Sequence, residues 1–63
     1  MQPHQQRVVD EKTELDGKLE KLQAFMFTPI HDGLPEDEKT RLKEQSVHMA
    51  SYSRVLGERI AAF

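Results

Sequence analysis

The sequence predicts an all-α protein: an antiparallel two-helix hairpin with a short helical turn in its connection, self-assembling into a helical oligomer. Three observations carry this. The large apolar residues of the first third, Val8, Leu15, Leu19, Leu22, Phe25 and Met26, recur at gaps of seven, four and three, the period of a helix face. Leu42, Met49, Leu56 and Phe63 recur at sevens in the last third. Between the two runs, Pro29, Gly33 and Pro35 interrupt the pattern. No segment alternates as a strand would, and there is no internal repeat or low-complexity stretch.

The first helix is expected over about 3–26. Pro3 suits its first turn, where a missing N–H costs nothing. Asp10, Glu14, Lys18 and Lys21 form its polar face, with Glu14 and Lys18 a favourable i,i+4 pair. Gly17 in mid-helix marks either close approach of a second backbone or ligand, or tolerance on an exposed face, and the second reading is preferred. The connection spans 27–34. Thr28 before Pro29 reads as the N-cap of one short turn ended by Gly33, with Ile30 and Leu34 tucked beneath it and His31-Asp32 as solvated turn residues. The second helix is expected over about 35–62. Pro35 sits at its first position, and Glu36, Asp37 and Glu38 complement its positive N-terminus. Gln45, Ser46, Ser53 and Arg59 occupy or flank its apolar seam, and such groups are costly to bury unless paired. Helices of these lengths are about 36 and 42 Å long and fold back on each other through so short a connection.

All of this is one domain, 1–63. The chain has nine Lys+Arg against eleven Asp+Glu, a net charge of −2, and no cysteine. Disulfides and cysteine metal cages are therefore excluded. The charge balance argues against sequence-independent binding of duplex nucleic acid. No apolar run approaches a membrane span, and Met1–Arg7 lacks an apolar signal core, so the chain reads as soluble and intracellular. Domains this small rarely gain more than about 3–5 kcal/mol from one core. Leu19, Phe25, Tyr52, Val55 and Ala61-Ala62-Phe63 offer more apolar surface than a single seam uses, which predicts a homo-oligomer.

Catalytic chemistry is not expected. His4, His31 and His48 are not spaced as a helical metal pair, the carboxylates alternate with lysines, and no phosphate-binding glycine motif is present. No metal and no cofactor are expected either. The basic residues are more informative. Antiparallel folding brings the N-terminal half of the first helix beside the C-terminal half of the second, gathering Arg7, Lys12, Tyr52, Arg54 and Arg59 at the open end. Guanidiniums grip phosphates and an aromatic ring stacks on a base, so this composition suits an anion or nucleotide. It also suits snorkelling cations around a core-edge tyrosine, and from composition alone that second reading is preferred.

Three stretches together, Arg7 to Leu22, Leu34 to Glu38 and Met49 to Ile60, resemble a family of small bacteriophage proteins known mainly as relatives of a crAss-like phage protein. That family is similar in size and layout to the phage anti-CBASS and anti-Thoeris hairpin domain. The resemblance implies a nucleotide sponge: an oligomer, commonly a hexamer, that holds a cyclic oligonucleotide or cyclic ADP-ribose immune signal without cleaving it, in the cytoplasm of the infected host. By the same resemblance, His4 stands at the sponge's aromatic position, Lys18 lies one residue from its lysine, and Arg54 matches its arginine. Two other readings stay open. One is a protein–protein inhibitor of a bacterial defence complex that presents Asp10, Glu14, Asp16, Glu20 and the acids at 36–38. The other is a structural coiled-coil accessory protein.

Overall fold

A computed structural model describes residues 1–63 and gives three helices in chain order: α1 (Pro3–Phe25), α2 (Pro29–Asp32) and α3 (Glu36–Ala61). α1 and α3 pack against each other as the antiparallel pair the sequence predicts, and α2 is the short turn between them. The molecule is a rod of 46 × 14 × 13 Å. No helix is long and apolar enough to cross a membrane.

Each helix end has a local cause. At the start of α1 the Gln5 side-chain oxygen accepts the Gln2 N–H at 2.8 Å, and Pro3 occupies the first turn. The helix ends in a tightened turn, where the Thr28 N–H reaches the Phe25 carbonyl at 3.0 Å and the Thr28 hydroxyl donates to the same oxygen at 2.7 Å. Thr28 then caps α2 by accepting the His31 N–H at 3.3 Å. Pro35 is the N-cap of α3 rather than its first helical residue: its backbone is extended, and its carbonyl already accepts the Lys39 N–H at 3.0 Å. The acids of the first turn of α3 are paired within the helix, Glu36 with Lys39 at 3.3 Å and Glu38 with Arg41 at 3.0 Å.

The seam between α1 and α3 is thin. Only Val8, Ser53 and Leu56 are buried, and Leu56 alone is a large side chain fully enclosed, at 1% exposure. Leu15, Leu19, Leu22, Leu42 and Met49 are half-buried along the same seam. Gly17 faces open space, where an added Cβ would meet nothing within 4 Å, as expected of a tolerated glycine on an outer face.

The connection departs from expectation. Ile30 does not tuck beneath it but stands 71% exposed, whereas Leu34 is half-buried as anticipated. His31, expected to be solvated, takes the inner place. Its side chain is 13% exposed, edge-on to the Phe25 ring with centroids 6.0 Å apart. The capping bond from the His31 N–H to Thr28 fixes the rotation of this single turn, and that rotation sends residue 31 inward and residue 30 outward. Neither ring nitrogen of His31 has a hydrogen-bond partner.

Candidate functional site

The rotational position of each basic residue decides what can act together. Contacts across the seam fix the register: Asp16 faces Ser53, Lys12 passes over Gly57, and Gln23 shares a groove with Ser46. Extending this register places Arg7 level with Ala62, Arg59 level with Asp10, and Tyr52 level with Gly17.

Lys12 is committed inside the hairpin. Its ammonium donates to Asp16 Oδ2 at 2.7 Å and to Ser53 Oγ at 2.9 Å. The Ser53 hydroxyl donates in turn to the other Asp16 oxygen, which closes a three-membered network across the seam. This is the pairing that a buried serine requires, and it satisfies the expectation that seam polarity be compensated. The Lys12 hydrogen bond first, then that from Ser53, hold the Asp16 carboxyl below the usual carboxylate range against the opposing effect of partial desolvation. Such a network ties the helices in one register and engages both Asp16 carboxylate oxygens.

Arg54 is also set apart. It pairs with Glu58 at 3.0 Å. Two residues along a helix is about 200° of rotation, so Arg54 lies on the opposite side of α3 from Tyr52. Seven residues is close to two full turns, so Tyr52 and Arg59 share a side, as do Val47 and Arg54. On α1, His4 and Lys18 share a stripe with Arg7 beside it, and Lys12, Asp16 and Gln23 run along the other side. Because Asp16 meets Ser53 and Gln23 meets Val47 on one flank, the remaining flank carries His4, Arg7, Lys18, Tyr52 and Arg59.

On that flank no carboxylate pairs with Arg7, Lys18 or Arg59, so the Glu14–Lys18 pair expected from the sequence does not form; the ion pairs of the molecule engage Lys12, Lys39, Arg41 and Arg54. Arg7 and Arg59 stand about one helical turn apart along the axis. Lys18 and Tyr52 lie level with each other, about 10 Å further toward the connection at 1.5 Å per residue. All five side chains are exposed. The arrangement offers two unpaired guanidiniums at one end, a lysine further on, and an aromatic face at the lysine's level. It holds no nucleophile and base in contact, and no cluster of three or more metal-ligating side chains occurs anywhere in the chain.

Sequence reasoning missed one concave feature. A groove of about 440 Å³ lies on the opposite flank near the connection, lined by Gln23, Met26, Phe27, Lys43, Ser46 and Val47. The signal available was the run Phe25-Met26-Phe27, too apolar for the end of a helix whose partner is already supplied.

No curated protein and no solved structure matches the chain. A family model does match, over residues 2–62, and this span takes in both long helices, the connection and every residue of the cationic flank. The chain therefore belongs to the Sequestin family.

Proposed function

We propose that this protein is a phage counter-defence sponge that captures a cyclic nucleotide immune signal and holds it without cleaving it, in the cytoplasm of the infected bacterium. The observation that carries the reading is the flank of Arg7, Arg59 and Lys18, cations that make no ion pair, beside the exposed ring of Tyr52. The family's name denotes sequestration, which agrees with an arrangement that binds but has no reacting pair. Arg7 and Arg59 take phosphate oxygens through their forked donors, Lys18 takes a second anionic group, and Tyr52 stacks on a base, with His4 at the outer end as a further donor. One flank of a hairpin is open to water. A neighbouring copy in a homo-oligomer supplies the opposing wall, which encloses the ligand as small-molecule sites require.

Capture of this kind works by mass action and needs the protein in stoichiometric amount. Isothermal titration against a panel of cyclic oligonucleotides and cyclic ADP-ribose isomers tests it. One member is expected to bind, and to stabilise the fold by about 2.7 kcal/mol at a hundredfold excess over Kd. Arg7→Glu and Arg59→Glu are each expected to weaken binding by tenfold or more, since a hydrogen bond to a charged group contributes about 1.5–3 kcal/mol. Arg54→Glu, on the far side of α3, is expected to leave it unchanged. No heat and no thermal shift with any member of the panel refutes the reading.

A further inference from the structure

We propose that the groove beside the connection is a second binding site, which takes a flat heteroaromatic ring carrying a single carboxylate. Local structure builds it. Lys43, Ser46 and Val47 stand three and four residues apart on α3 and so line one side of that helix. Across the seam, Gln23 lies in the last turn of α1, and Met26 and Phe27 follow where the chain leaves the helix. The hollow between them is about 440 Å³, within the range of small-molecule sites, and it mixes apolar walls with a few polar groups as such sites do.

The lining selects the ligand. Met26 and Val47 supply apolar walls, and the Phe27 ring, 89% exposed, has a free face for another ring. The methionine sulfur also favours an aromatic neighbour, so a ring fits these walls better than an alkyl tail. The Lys43 ammonium makes no ion pair and offers the groove its one positive charge. The Ser46 hydroxyl donates its proton to the Lys43 carbonyl at 2.8 Å, so it presents lone pairs and is complemented by a ring N–H. The Gln23 amide meets either a donor or an acceptor on the ring edge. A flat ring, an N–H and one negative charge complement these groups together. The single cation here, against the three of Arg7, Lys18 and Arg59, does not match a ligand with several phosphates. The groove shares no residue with that flank and stands whether or not the flank holds a nucleotide.

Titration of the isotopically labelled full chain with indole-2-carboxylate, followed by amide chemical shifts, tests this. Saturable shifts centred on Gln23, Phe27, Lys43, Ser46 and Val47 are expected, with a Kd of about 1 mM or below. Indole, which lacks the charge, and 2-naphthoate, which lacks the N–H, are each expected to bind about fivefold more weakly. Lys43→Gln is expected to lower the affinity for indole-2-carboxylate to that for indole. Val47→Asp, at a position 54% exposed, is expected to abolish the shifts while far-UV circular dichroism keeps its helical signal. Absence of saturable shifts, shifts centred on the cationic flank instead, equal affinity for the three compounds, or unchanged binding by Lys43→Gln would each overturn the proposal.

Discussion

Leu56 is the single large side chain that the hairpin encloses completely, so Leu56→Ala is the sharpest test of how the fold is held together. Full burial of a leucine contributes about 1.5–3 kcal/mol, and truncation adds the cost of whatever cavity remains, giving about 2–5 kcal/mol. The site lies in a seam one side chain thick, where neighbours can collapse inward, which places the expected loss near 2–3 kcal/mol. Against a total of about 3–5 kcal/mol for a domain of this size, that is most of the stability. If the parent is stable by about 4 kcal/mol and the variant by about 1, the unfolded fraction rises from roughly one in a thousand to more than one in ten. Urea unfolding followed at 222 nm measures this, with parent and variant at one protein concentration because association shifts the apparent midpoint. A change below about 1 kcal/mol would show that Leu56 is not the centre of the core and that the helices are held chiefly by contacts outside the hairpin.

Gly17→Ala is expected to stabilise by about 0.5–1 kcal/mol, since the added methyl meets nothing and the helix gains propensity; thermal melts read it. His31→Leu is expected to stabilise by about 1–3 kcal/mol, because it removes two buried ring nitrogens that have no partner, and unchanged melting would show that water reaches them. For Asp16 the folded pKa is depressed, so its contribution is present above the unfolded pKa and is lost as pH falls through the folded value. Wild-type stability is therefore expected to decline on the acid side of pH 4, and Asp16→Asn to be less stable at neutral pH with a shallower acid limb, both measured by urea midpoints across a pH series.

The parts of the fold that were legible in the sequence rest on periodicity. Leu42, Met49 and Leu56 at sevens can lie on one face only if the segment is helical, and two such faces across a proline-marked break have one economical arrangement. Ser53 was legible as a problem but not as an answer. A serine in an apolar seam must be paired, yet naming Lys12 and Asp16 as its partners needs the register, which the geometry of the connection sets. The inversion of Ile30 and His31 has the same root. Hydropathy puts the isoleucine inside, but in a four-residue helix the Thr28 cap fixes the rotation before side-chain preference can act. The cationic residues show a third limit. Antiparallel folding assigns Arg7, Lys12, Arg54 and Arg59 to one end of the rod but is silent on angle about the helix axis. That angle gives Lys12 to an internal network and Arg54 to the far side, and leaves His4 and Lys18 beside the two remaining arginines.

Salt separates the two surfaces that the molecule presents. Around the flank of Arg7, Lys18 and Arg59 the charges are exposed and unpaired, so their attraction for an anionic ligand acts largely through water, and ions screen it over about 10 Å at 0.1 M. At the connection end the dominant groups are Phe27, Ile30, Met26 and Val47, whose burial gains nothing from charge and is favoured by excluded salts such as sulfate. Raising ionic strength is therefore expected to weaken capture on the flank steeply and binding in the groove far less, as read by titration calorimetry and amide shifts on the same samples. The near-neutral total of −2 conceals this division, because Glu36, Asp37 and Glu38 are paired within α3 while Arg7, Lys18 and Arg59 make no ion pair. If capture proved indifferent to salt, the exposed cations of Arg7, Lys18 and Arg59 would not be what holds the ligand, and the apolar end would be the ligand site.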